Sequence, residues 1–361
     1  MIGLGLGNNR IAGGLDPVAQ VIAEFVRRVN ADGGTVESLL GVNSILRNSP
    51  EASLILTPSA YKTSVLYSIV PNTASGDFDY TQNTANGTRF NQNGEIEVLP
   101  ANTPRITWIN GKPEILVEEG RTCLNAQSDN LDTAPWSITA STELDNVGFF
   151  AGINKWRLTN TNTAGIVGSG FSALQNTTGF ALTAGNDYTI SFIIEFGTSP
   201  AFGMLLRADT LSVINLTINS DLTFSNLTDD GSYSNLTGRF TEIQNSGIYI
   251  CEISFTAVNT ENYQPLLRMG NCIQGNVSSA VANTTTFIGN FNLTQGDRAS
   301  SRIITGAGIA TRNDDVYSIT PPAGTTEIVE YLANGTINTI TVIPPTYTPA
   351  VGLYKRIIFK S

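Results

Sequence analysis

Residues 187–196 read DYTISFIIEF and residues 248–257 read IYICEISFTA. In the first run Tyr188, Ile190, Phe192 and Ile194 fall on one face of an extended chain, because successive side chains of a strand point to opposite sides. In the second, Tyr249, Cys251, Ile253, Phe255 and Ala257 oppose Ile248, Ile250, Glu252 and Ser254. A period of two, with one buried face and one polar face, is the pattern of antiparallel strands packed as a sandwich. The expected fold class is therefore mainly β.

The same texture extends in both directions. LILT, SVLYSIV, EIEVLP, RITWI and EILVEE precede these runs, and KWRLTN, GMLLRA, SVINLTI and TTFIGNFNLTQ surround them. Polar tracts rich in Asn, Thr, Ser and Gly separate them. Asn93-Gly94, Asn110-Gly111 and Asn334-Gly335 sit between apolar runs and are expected turns, since Asn and Gly both tolerate positive φ. Only 14% of the 361 residues are charged, against a usual value of about 25%.

The N-terminal part differs. Asp16 is placed to cap a helix with Pro17 at its first position, and Val18, Ile22, Phe25 and Val29 follow at helical spacing. Asn30 to Gly34 ends it, and VESLLGVNSILRN suits one more short helix before Pro50. So short a helix cannot bury its stripe alone. Val18, Ile22, Phe25 and Val29 are thus expected to pack on the rest of the chain, on sister subunits or on a larger assembly. After Arg312 the composition breaks again, with Pro-Pro pairs and a terminal apolar run, YKRIIFK, expected as a small separate β-unit.

Composition excludes several functions. The chain has no histidine, which removes histidine-based nucleophile systems and histidine metal sites. A net charge of −10 with scattered basic residues argues against nucleic acid as a partner. The three cysteines, Cys123, Cys251 and Cys272, have no CxxC spacing and signal neither a zinc site nor a disulfide framework. No secretory signal is readable at MIGLGLGNNRIAGG. No apolar stretch reaches the roughly 20 residues that cross a bilayer as a helix. The expectation is synthesis in the cytoplasm, without membrane insertion. GLGLG follows no strand and matches no phosphate-binding pattern.

One segment carries a resemblance. TRFNQNGEIEVLPANTPRITW, then ILVEEGRTCLN, then Trp136, resembles the leading segment of phage virion structural proteins that carry a carbohydrate-binding-module-like jelly roll. Thr88-Arg89, Gly94, Ile96-Glu97, Pro104-Arg105, Glu118-Glu119, Arg121-Thr122 and Asn125 match its order. ALTAGNDYTISFII, SGIYICEISFTAV and FIGNFNLTQGDRASSRIITGAGIATRNDD are similar to the family's later strands and trailer. Cys123 and Leu124 interrupt the usual R-T-N contiguity, Ile248 stands where Trp is common, and a glutamate pair replaces Glu-Pro.

The resemblance implies a surface-exposed head fibre or decoration protein, without enzymatic activity, located on the virion surface. Its segments would be 1–48, a virion-attachment peptide and helix; 49–118, a β-rich connection; 119–311, the jelly roll; and 312–361, the C-terminal β-unit. Implied partners are other virion proteins of capsid or tail, sister chains with a trimer favoured, and a host surface glycan. A tail-associated receptor-binding protein and a polysaccharide depolymerase are the alternatives.

Candidate chemistry is sparse. A glycosidase needs two carboxylates about 5 to 9.5 Å apart, and Asp77/Asp79, Glu118/Glu119, Asp229/Asp230 and Asp314/Asp315 are the acidic pairs. They read better as acidic turns or solvated faces, because neighbours on a strand point to opposite sides. No cofactor is expected. A structural calcium stays open as a minor alternative, although no EF-hand spacing is present. Trp108 and Trp156 lie in strand-like runs and are expected in the core. Trp136, Tyr233 and Tyr263 are the weak candidates for stacking on a sugar.

Overall fold

The computed structural model describes residues 16–31, 42–62, 65–68, 78–138, 142–161, 174–208, 213–228, 233–273, 276–279 and 283–361. The chain gathers into two compact units, Thr81–Val316, and Met1–Tyr80 together with Tyr317–Ser361. Pairing joins segments on either side of the expected boundaries at 118 and 311. Ala52–Lys62, placed by sequence in the connection, pairs antiparallel with the terminal strand Gly352–Lys360. Asp315, placed in the C-terminal unit, donates its backbone N–H to Glu118 O at 2.9 Å within the larger unit.

The larger unit is an antiparallel β-sandwich. Its first sheet runs Thr142–Phe150, Ile153–Asn160, Thr285–Gln295, Asp187–Phe196, Tyr249–Ala257, Tyr233–Glu242. The second runs Phe224–Thr228, Val213–Asn219, Ala201–Ala208, Glu261–Met269, Leu174–Asn176, Trp136–Ile138. Tyr188, Ile190, Phe192 and Ile194 meet Phe202, Met204, Leu206 and Leu267 across the gap, and Cys251, Ile253, Phe255 and Ala257 extend the same core. Each fully buried large apolar side chain there contributes about 1.5–3 kcal/mol.

One open side of the sandwich is closed by aromatics. Phe224, on the edge of the second sheet, stacks on Phe240, on the edge of the first, with ring centroids 4.7 Å apart and planes at 15°. Gly238 makes room, because a Cβ at that position would lie 2.8 Å from the Phe224 ring.

The outer face of the first sheet departs from the expected wet face. Ile193, Phe150, Ile153, Ile243 and Ile96 form a second apolar cluster there, flanked by Ile248 and Ile250. Beside it Ser191, Asn290, Asn292 and Arg302 are buried. The leading segment and the trailer fold over this face, so both sides of the sheet are covered. Asn292 receives the Ile303 N–H at 3.0 Å and donates to Ile303 O at 2.9 Å. Its amide thus stands in for a strand partner. Asn125 does the same on the other side, donating to Phe291 O at 2.7 Å and accepting from Leu293 N at 2.8 Å.

Turn expectations hold. Asn110 and Gly111 have φ of 50° and 73° between strands Ile106–Ile109 and Lys112–Val117, the signature of a two-residue type I′ hairpin. Gly94 and Gly335 also take positive φ in their turns.

In the smaller unit Pro17–Ala31 is helical, and Asp16 Oδ1 accepts the Val18 N–H at 3.1 Å as its cap. That bond and an ion pair from Arg47 hold the Asp16 carboxyl below its usual range. Val42–Arg47 forms the second helix. Phe25 is buried, Val18 and Ile22 are half-buried, and the side chain of Val29 lies outside the described residues. The sheet of this unit runs Val65–Ser68, Ala52–Lys62, Gly352–Lys360, Glu327–Leu332, Ile337–Ile340.

Candidate functional site

Several charged residues of the leading segment turn inward. Arg105 donates from Nε to Asp315 Oδ1 at 3.0 Å and from Nη1 to Glu118 Oε2 at 2.7 Å, Ser301 Oγ at 2.7 Å and Thr88 O at 3.2 Å. Arg312 Nη1 reaches the same Glu118 Oε2 at 2.7 Å, and Ser301 N donates to the other Glu118 oxygen at 2.8 Å. Two guanidinium groups therefore face two carboxylates in a buried, neutral cluster. Burial would push the Glu118 carboxyl up, but Arg105 and Arg312 outweigh it and hold its pKa at about 2. Burial likewise opposes the charge of Arg105, and Glu118 and Asp315 more than offset it, raising its pKa. A carboxylate held this way is a poor proton donor at neutral pH.

This places the acidic pairs. Asp315 and Glu118, expected on turns or solvated faces, are instead buried and half-buried, because arginines remote in sequence neutralise them. Glu119 stays exposed beside Arg121. Asp314 accepts the Gly120 N–H, and Asp79 is exposed. Asp77, Asp229 and Asp230 lie outside the described residues. Among the described residues no group of three His, Cys, Asp or Glu side chains is close enough to hold a metal ion.

The three stacking candidates are all in the core. Trp136 is 5% exposed, sets its ring edge-on to Phe291 at 5.3 Å, and donates its indole N–H to Gln127 O at 3.1 Å. It opens a strand instead of lying in a loop. Tyr233 and Tyr263 are buried, 5.4 Å apart between ring centroids, with Tyr233 edge-on to Phe255. None offers a ring face to a ligand, because strand alternation turns each toward the opposite sheet. Trp156 is in the core as expected, whereas Trp108 is half-buried under the Arg89 guanidinium, 5.6 Å from its ring centroid.

A cleft that sequence reasoning missed opens beside the charged cluster. It encloses about 550 Å³ and is lined by Arg121, Thr122, Leu124, Asp187, Gln295, Asn313 and Asp314, among others. Arg121 Nη1 donates to Gln295 O at 2.7 Å, the Thr122 and Thr311 hydroxyls lie 2.9 Å apart, and Asp187 Oδ1 accepts from Thr256 at 2.5 Å. These bonds fix the wall. Leu124 also lines a neighbouring groove of about 450 Å³ with Pro135, Phe180, Gly179, Gly308 and Ile309. One side of Leu124 thus presents donors and acceptors, and the other presents carbon. Arg121, Asp187, Gln295 and Asn313 each fall inside a segment that carries the resemblance, but they come from strand ends remote in sequence, and no spacing shows that they meet.

No protein-family model and no curated protein matches the chain. Among solved structures, the CBM22-1–GH10 modules of the Clostridium thermocellum endo-1,4-β-D-xylanase 10B, complexed with xylohexaose, match at 13% identity and TM-score 0.30 over 51% of this chain. The match spans only 30% of that chain. The CBM22-1 xylan-binding domain of Paenibacillus barcinonensis Xyn10C matches at 11% identity and TM-score 0.28, covering 50% of this chain and 99% of that one. The adhesin domain of Epf from Streptococcus pyogenes matches at 11% and TM-score 0.23, covering 69% and 85%. At these TM-scores the likeness carries no argument about the site; the sandwich rests on its own strand pairing.

Proposed function

We propose that the chain is a non-enzymatic structural protein of a phage virion, a surface-exposed head fibre or decoration protein attached through its N-terminal region, whose sandwich contacts a host glycan. The observation that carries this reading is the interlock of the leading segment with the trailer. Thr88, Arg105, Glu118 and Asn125, the residues that give the resemblance to virion modules, converge on residues 291–315 in one buried network. The motif order is thus supported as one structural device. The commitment of Glu118 and Asp315 to arginines favours a binding role over a depolymerase.

The cleft around Leu124 is the proposed glycan contact. A pyranose has polar rims and carbon-rich faces, and a wall with Gln295 and Asn313 on one side and Pro135 and Ile309 on the other matches both. Val18 and Ile22, half-buried beside the buried Phe25, support attachment and homo-oligomerisation, with a trimer favoured.

Electron microscopy of intact particles labelled with an antibody to the sandwich unit tests the location, and label absent from particles refutes it. A glycan array tests the contact. Replacing Gln295 and Asn313 together with Ala is expected to weaken any hit at least tenfold at unchanged melting temperature; unchanged binding removes the cleft from the reading.

A further inference from the structure

The strand Ile337–Ile340 ends the sheet of the smaller unit, and among the described residues no strand pairs its outer edge. Leu332 N donates to Thr336 O at 2.9 Å across the turn, and the register then sets Tyr331 opposite Ile337 and Glu330 opposite Asn338. Antiparallel bonds alternate sides. Asn338 and Ile340 therefore spend their backbone groups inward, while Ile337 and Thr339 aim theirs outward. Those outward groups form a template for another strand.

Edges of this kind are normally blunted by lysine, by an inward charge, by proline or by a covering segment. Here the strand carries none. From Ala333 to Tyr354 there is no charged residue, and the prolines begin only at Pro344. Ile337 is 59% and Val342 85% exposed, so no described segment covers the edge. The strand itself, INTI, has β-branched side chains at Ile337, Thr339 and Ile340, which suits pairing.

We infer that this edge is an interface on which a second copy of the chain adds its own Ile337–Ile340 strand, antiparallel, across a two-fold axis. Self-pairing centred on Asn338 sets Ile337 of each copy opposite Thr339 of the other. Both residues then exchange N–H and C=O groups with the partner, giving about four new backbone hydrogen bonds. A neutral strand meets itself without like charges in register, which is why a second copy is favoured over a charged partner. The pairing is independent of the helix-mediated association proposed above, since it uses the opposite end of the sequence.

Light scattering on the full chain tests it. The wild type is expected to have twice the mass of Ile337→Lys at the highest soluble concentration, because the substitution sets like charges across the axis. Thr339→Pro, which deletes an outward N–H without touching the inner ladder, is expected to halve the mass as well. Ile337→Val keeps the doubled mass. Far-ultraviolet circular dichroism confirms that each variant is folded. Equal masses for wild type, Ile337→Lys and Thr339→Pro overturn the inference, including the outcome in which this edge binds a strand of a different protein.

Discussion

Arg105 and Asp315 stand 210 residues apart in sequence, and their side chains, 1% and 0% exposed, bind one another inside the larger unit. Asp315 also accepts the Glu118 N–H at 2.8 Å, so one carboxylate ties the leading segment to the trailer. Breaking a buried pair leaves a stranded charge, at a cost of about 3–5 kcal/mol. Arg105→Leu is therefore expected to lower the urea midpoint strongly. A shift under about 1 kcal/mol in chemical denaturation shows that the cluster does not hold the unit together.

Acid should weaken the same cluster through Glu118. Its pKa is about 2 in the folded chain against an ordinary 4.5. A group lowered on folding contributes stability above its unfolded value and loses it as pH falls from about 4.5 toward 2. Unfolding free energies measured at pH 7 and pH 3 are expected to differ less for Glu118→Gln than for the wild type. An equal difference in both proteins assigns the acid sensitivity elsewhere.

The aromatic closure between sheets gives a sharper packing test. Phe240→Ala removes the ring that stacks on Phe224 and contacts Tyr249 edge-on at 6.4 Å. Because Phe240 is only half-buried, the loss is expected near 2 kcal/mol, below the full-core range. Gly238→Val should cost at least as much by steric conflict with Phe224. Calorimetric melting that leaves both variants within a degree of wild type contradicts the closure.

Thiol chemistry should be quiet. Cys123 and Cys251 are buried free thiols, and burial pushes Cys123 up to about 11 and Cys251 well above its ordinary value. Of the three cysteines, no more than one should react quickly with Ellman's reagent at pH 8 before unfolding. Rapid labelling of Cys123 or Cys251, mapped by mass spectrometry, shows that this core opens.

Much of the fold is legible because strand alternation and turn chemistry are local. Ile190, Phe192, Ile253 and Phe255 reveal their inward face by spacing alone, and Asn110-Gly111 reveals its hairpin by the φ angles only such a pair accepts at low cost. The Asp16 cap follows from the same kind of short-range bond. The site is different. Trp136, Tyr233 and Tyr263 look free in sequence, yet each faces the opposite sheet, which spacing within one strand cannot show.

By itself, then, the sequence determined the strand-rich class, the turns, the N-terminal helix and the exclusion of histidine chemistry, since these depend on neighbours a few residues away. Tertiary structure alone decided that Arg105, Glu118, Arg312 and Asp315 form one buried cluster and that Leu124 divides a polar cleft from an apolar groove. It also decided that Ala52–Lys62 belongs with Gly352–Lys360. Those relationships join residues separated by most of the chain, and the energy of a buried charge or an open strand edge depends on what folding brings beside it.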